Sequence, residues 1–434
     1  MDFFYVMEKL YSYFLDSTGV CTDSRNVFEG CMFIALKGPS FNGNTFAQNA
    51  ILSGAKFAIV DEVEFENANK NIFLVENGLK FLQDLANYHR RKFSIPVIGI
   101  TGSNGKTTSK ELIATVLSKK YTVLSTKGNL NNHIGVPLTL LQLTEAHEIA
   151  VVEMGANHFG DIKELADIAE PTHGIITNIG KAHLEGFKNF EGVLKTKKEL
   201  YDSVQQSKGL IVYNADDTIL VDNLPQKTSL LSYGTGNNEI KGTLQKLTPF
   251  VELNWSYADY ISPNILTNLV GEYNFYNFLA AISFGCLFEV DFEQINDAIS
   301  NYEPTNKRSQ VTKTASNTLI LDCYNANPTS MKSALESFAK IEHDAKYFVI
   351  GDMLELGEES FSEHQSIVYL VEDLKIQGIT VGKEFSVFQS DNIDFHFSTS
   401  KELIDFLQKN QISNKLILLK GSRGIGLEVL EEYL

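Results

Sequence analysis

One segment, Thr101-Gly-Ser-Asn-Gly-Lys-Thr-Thr108, constrains this chain more than any other. It stands directly after an apolar run, Val97-Ile-Gly-Ile100, and just before a helical pattern, Lys110–Leu117. A strand that feeds a glycine turn and then a helix aims backbone N–H groups and the positive end of the helix dipole at one point, which suits a phosphate. Gly102 and Gly105 allow the turn, with Ser103 and Asn104 between them. Lys106 is then placed to neutralise the β- and γ-phosphates of ATP, Thr107 to coordinate magnesium, and Thr108 to complete the nucleotide-binding set. The pattern is shorter than the usual P-loop, because Ile100 occupies the position of its first glycine.

The pattern of strand, turn and helix recurs on both sides of this loop. Strands are expected at Tyr121–Ser125, Ile149–Glu153, Gly174–Thr177 and Gly209–Tyr213, with helices between several of them. Such alternation predicts a doubly wound, mostly parallel sheet. Ile240–Tyr257 reads as antiparallel strands and Asn274–Phe288 as a helix. A second α/β pattern follows, with strands at Thr318–Asp322, Tyr347–Ile350, Ile379–Val381 and Leu416–Leu419. The first 92 residues alternate short apolar runs with turn clusters and end in a helix around Leu79–Phe93; Ser94-Ile-Pro96 marks a boundary there. At 434 residues the chain exceeds one compact core. The expected architecture is therefore α/β in three domains: a small α/β unit over 1–92, a central P-loop domain over 93–304, and a C-terminal Rossmann-like domain over 305–434.

Composition narrows the partners. A formal charge of −17, with no long basic stripe to offset it, argues against nucleic acid. Four scattered cysteines without a CxxC pair argue against a zinc site or a disulfide framework. Met1–Asp16 reads as an amphipathic helix rather than a signal peptide, and no apolar run approaches the roughly 20 residues of a membrane helix. The expectation is a soluble, cytoplasmic monomer that does not engage a membrane.

Further chemistry clusters at strand ends. Glu153 closes an apolar run where a P-loop protein needs a second, hard oxygen ligand for magnesium. Thr177-Asn-Ile-Gly-Lys-Ala-His183 closes the next strand; His183 is either a ligand in the same metal region or an ordinary packed or solvated histidine. Lys195, Lys197 and Lys198 form a cluster that by itself reads as a solvated helix face.

Taken together, these elements resemble the Mur ligase superfamily, the ATP-dependent amide ligases of cell-wall peptide synthesis and their folylpolyglutamate synthase relatives. The short loop Gly102–Thr108, the asparagine-rich Gly128–Pro137 and Asn178-Ile-Gly-Lys-Ala-His183 carry the resemblance, which extends over nearly the whole chain. Asp322-Cys-Tyr-Asn-Ala-Asn-Pro328, Gly351-Asp-Met-Leu-Glu-Leu-Gly357 with His364, and Lys420-Gly-Ser-Arg423 are similar to the branch that adds D-alanyl-D-alanine. The resemblance implies ligation of D-alanyl-D-alanine to UDP-N-acetylmuramoyl-tripeptide through an acyl phosphate, with ATP and Mg2+. The alternative is another ligase of the superfamily, adding the third residue or extending folate with glutamate. It further implies that Lys106, Glu153, His183 and Lys197 are catalytic, with Lys197, as a carbamate, joining Thr107, Glu153 and His183 around the metal. Ser24 and Arg25 would lie near the UDP diphosphate, while Asn274, Arg308, Asn325 and Asp352 would serve ATP. Arg308 is otherwise a surface arginine. Asn327 would orient the dipeptide. Two departures from the family stand out: Asn42-Gly-Asn44 replaces an Asp-Gly-His element, and Tyr273 stands where histidine is common.

Overall fold

The computed structural model describes residues 3–247, 249–304 and 306–434. The expected start of the third domain, Thr305, lies outside the described residues. Among those described, the strands build three main sheets, of four, ten and six strands, and a small two-stranded ribbon.

The N-terminal helix, Phe3–Leu15, buries Met7, Leu10 and Phe14. That spacing puts them on one face, which is the amphipathic pattern expected. Behind it lie four parallel strands in chain order, Val20–Cys21, Met32–Ile34, Phe57–Val60 and Ile72–Leu74. The helix Gly78–Arg90 then leads to the central sheet.

Strand Val97–Thr101 sits at the heart of that sheet, paired in parallel with Ile149–Glu153 on one side and His173–Ile176 on the other. The chain runs from it to Val123–Ser125, returns to Ile149–Glu153, then crosses to His173–Ile176. The winding direction therefore reverses beside the P-loop strand, and a crevice opens at the strands' carboxyl ends. Every residue of Val97–Thr101 and Ile149–Glu153 is buried, as expected of a parallel sheet covered on both faces. Ile240–Leu247 and Phe250–Tyr257 pair antiparallel at the far end. The helix Tyr273–Leu287, buried along most of its length, packs against the P-loop helix Lys106–Leu117.

In the third sheet Thr318–Leu321, Leu416–Lys420, Lys346–Gly351, Gln377–Val381 and Ile393–Phe397 run parallel, with Gln310–Lys313 antiparallel at one edge. The edge strands Gln310–Lys313 and Ile393–Phe397 have no fully buried residue. They carry no continuous apolar run, so the sequence pattern does not announce them.

Candidate active site

The P-loop is held by contacts that glycine alone permits. Gly102 has φ +143°, and a Cβ there would lie 2.0 Å from Thr177 Oγ1; Gly105 has φ +78°, with Asn277 Oδ1 2.7 Å from any added Cβ. The neighbouring strand end then clasps the turn. Thr177 Oγ1 donates to the Asn104 carbonyl at 2.6 Å, Asn178 Oδ1 accepts from Asn104 N–H at 3.0 Å, and Ser103 Oγ exchanges hydrogen bonds with the backbone of Gly180. Thr177–Gly180 thus shape the loop through protein contacts alone. Lys106 turns back onto the carbonyls of Gly102 and Ser103, at 2.6 and 3.2 Å. Burial lowers its pKa to about 8, with Glu153 opposing and Arg308 adding to the shift.

Glu153, 1% exposed at its strand's end, accepts from Thr107 Oγ1 at 3.2 Å and Asn131 Nδ2 at 2.8 Å, both through Oε1. Its Oε2 is buried with no hydrogen-bond partner among the described residues. A desolvated carboxylate oxygen beside a threonine hydroxyl fits a hard divalent cation. No three His, Cys, Asp or Glu side chains converge as a metal cage among the described residues. The donor set therefore suits an ion that takes its remaining ligands from phosphate and water, as magnesium does. Asn131 belongs to the asparagine-rich segment singled out in the sequence, where no individual role was visible.

These groups line one side of a cavity of about 700 Å³, and the C-terminal domain supplies the other. Arg308, Tyr324, Asn325 and Asn327 all face it, as do Asn274 and His183. Asn327 caps the helix Pro328–Lys340 and donates through Nδ2 to Asn104 Oδ1 at 2.8 Å, so it touches the P-loop itself. Asn274 donates to Ser309 Oγ at 3.1 Å and accepts from Asn277, which in turn accepts from Ser109 on the P-loop helix. Tyr273, the departure noted above, bonds Ser309 Oγ at 2.8 Å. Both side chains therefore tie the central domain to the start of the third.

Not all the expected residues gather here. His183 lines the cavity, but its Nδ1 pairs with Glu355 of the third domain at 2.5 Å. Lys197, 2% exposed, sits with its ammonium 5.7 Å from the Phe187 ring centre. Burial and the nearby Lys106 push its pKa well below the usual lysine range. Asp352 lies away from the cavity lining: it is buried, and its carboxylate accepts from the N–H groups of Glu384 and Phe385 at 2.9 and 3.1 Å. That carboxylate braces a turn of the third domain instead of facing the cleft. Arg25 is exposed and pairs with Asp23, at 2.8 Å, on the N-terminal domain, with Ser24 between them. Neither Ser24 nor Arg25 lines the cavity.

A P-loop, a buried carboxylate with a free oxygen and a facing arginine wall can hold a triphosphate while a second anion approaches it. Family matches agree with this class of site. The descriptions "Mur ligase family, catalytic domain", "Mur ligase middle domain" and "Mur ligase, glutamate ligase domain" match residues 16–90, 100–285 and 307–423. The chain belongs to the Mur ligase family. It is 35% identical over 423 residues to UDP-N-acetylmuramoyl-tripeptide--D-alanyl-D-alanine ligase of Bacillus subtilis, covering 94% of this chain and 91% of that one. Its fold matches a crystal structure of MurF from Acinetobacter baumannii with a TM-score of 0.88 and 30% identity, over 98% of this chain and 97% of that one. MurF ligase from Thermotoga maritima in complex with ADP gives a TM-score of 0.85 at 26% identity, over 97% of both chains.

Proposed function

We propose that this chain is an ATP-dependent amide ligase that joins D-alanyl-D-alanine to UDP-N-acetylmuramoyl-tripeptide in peptidoglycan synthesis, releasing ADP and phosphate. The observation that carries the reading is the cleft itself: Lys106 and the Thr107–Glu153 pair on one wall, with Arg308 on the other, in a chain alike over nearly its full length to a ligase of that name.

The reaction must bring a carboxylate against a triphosphate, and two anions repel strongly in a dry site. Lys106 and Arg308 supply fixed positive charge, and the P-loop N–H groups supply oriented dipoles that need no reorganisation. The tripeptide's terminal carboxylate attacks the γ-phosphorus, its oxygen forming the new P–O bond while ADP leaves with the electron pair of the old one. The free amine of the dipeptide then attacks the acyl carbon of the mixed anhydride. Phosphate departs, and the amine gives up a proton.

Thr107 Oγ1 and Glu153 would hold magnesium, which when bound would supply further positive charge to the phosphates. Lys197, its neutral amine having added carbon dioxide and lost a proton to become a carbamate, would hold a second magnesium together with His183. Burial supports that modification, because it favours the neutral, nucleophilic amine. Asn274 and Asn325 serve the nucleotide, and Asn327 orients the dipeptide. Ser24 and Arg25 of the 1–92 unit hold the UDP diphosphate after Arg25 exchanges Asp23 for it. Residues 93–304 bind ATP and residues 305–434 close over it. The protein works as a cytoplasmic monomer.

Mass spectrometry of a reaction containing ATP, UDP-N-acetylmuramoyl-tripeptide and D-alanyl-D-alanine tests this. The expected product is the tripeptide substrate plus the dipeptide less one water, with matching phosphate release. Phosphate release stimulated by glutamate or by a single amino acid, but not by the dipeptide, would overturn it.

A further inference from the structure

Arg308 has an unusual setting for a cation in a cleft. Its guanidinium carbon lies 3.8 Å from the centre of the Tyr324 ring, within stacking distance. Its Nε is buried and has no hydrogen-bond partner among the described residues. No carboxylate pairs with it among those residues either. The nearby Asp322 is already engaged, accepting from Lys420 Nζ at 2.7 Å and from Ser309 N–H at 3.3 Å. Arg308 and Tyr324 both line the same cavity as the P-loop.

An aromatic face holds a guanidinium without consuming any of its N–H donors, which all lie in the guanidinium plane. A carboxylate partner would occupy two donors, cancel the charge and have to be displaced by the substrate. An arginine with neither partner would lose rotamer freedom on capturing a phosphate, which weakens the capture. A stacked arginine avoids both costs. Both residues belong to the third domain, so their stacking needs no contact from the central domain. Arg423 also approaches the ring, at 5.5 Å, but it is exposed and stands outside the cavity lining.

We infer that Tyr324 is a positioning residue: its ring is a shelf that presents the Arg308 guanidinium, donors free, to the transferring phosphoryl group. The inference rests on the proposal that ATP occupies the P-loop. Tyr324 acts only through Arg308, so its contribution disappears when Arg308 is absent.

A double-mutant cycle on the full-length enzyme tests this, with kcat and KM for ATP measured for each variant. Tyr324→Leu lowers kcat/KM by about 3- to 30-fold, the span from an exposed to a desolvated cation–π contact. Tyr324→Phe, which keeps the ring, restores most of that loss. In an Arg308→Ala background Tyr324→Leu has no further effect, because the two residues act as one unit. Affinity for ADP, which lacks the γ-phosphate, stays within twofold of wild type in Tyr324→Leu, and thermal melting of each variant confirms that it folds. Equal losses from Tyr324→Leu with and without Arg308 would overturn the inference, as would a failure of Tyr324→Phe to restore activity. If Tyr324→Leu does not fold, the inference stands or falls on Tyr324→Phe and Tyr324→Trp, both of which must keep at least a third of wild-type kcat/KM. Wild-type enzyme that binds no ATP would instead refute the proposed nucleotide site, a distinct outcome read before any variant is made.

Discussion

The two walls of the cleft are built on different principles. The central-domain wall is preformed: two left-handed glycines, a strand end that clasps the turn through Thr177 and Asn178, and a buried carboxylate on the adjacent strand fix its atoms. The C-terminal wall meets it through the hydrogen bonds of Asn327 with Asn104 and Asn274 with Ser309 and through ion pairs that each have at least one side chain about half-exposed, Lys181 with Glu363, His183 with Glu355 and Lys340 with Glu272. Exposed pairs of this kind contribute only about 0–1 kcal/mol each. On the proposed reading, a wall held by a few such contacts suits a reaction that must exclude water during an acyl phosphate's lifetime and then release product.

That contrast makes substitutions in the first wall far more damaging than those at the seam. Lys106→Ala removes the central fixed charge, and a loss in kcat of at least about 100-fold is expected from steady-state phosphate release. Gly102→Ala forces a Cβ onto Thr177 in a backbone conformation that disfavours side chains. The strain of about 1–3 kcal/mol is expected to weaken ATP binding by roughly 5- to 150-fold in a titration.

Much of the first wall was legible in the sequence and little of the second. Val97–Leu117 announces itself because apolar run, glycine turn and helix are contiguous, and Glu153 because it ends a wholly apolar strand. Pairings across the domains leave no local trace. The partner of His183, Glu355, lies on a different sheet domain, and the stacking of Arg308 on Tyr324 depends on how the strand after the linker folds back. Asp352 shows the converse. A carboxylate after a strand looks like a ligand contact in sequence, yet two backbone N–H groups some thirty residues on have already taken it.

A subtler difference between the walls is titration. Burial holds the Lys106 ammonium at a pKa of about 8, and a bound triphosphate must raise it by favouring the charged form. ATP affinity is accordingly level below pH 8 and falls as pH rises through that value, with proton uptake on binding. Calorimetry in two buffers of different ionisation enthalpy measures that proton directly. The smallest effect belongs to the seam. Glu355→Gln removes one pair whose carboxylate is half-exposed, and a change in kcat of less than about fivefold is expected, with ADP affinity unaltered. A hundredfold loss there would mean that the seam is no mere latch.

The central claim is that the tripeptide's carboxylate attacks a γ-phosphate gripped at the Lys106 corner. Substrate labelled with 18O in that carboxylate tests it most directly. One labelled oxygen recovered in the inorganic phosphate, and none from labelled water, is the predicted result. Phosphate carrying oxygen from water alone during productive ligation would contradict the account.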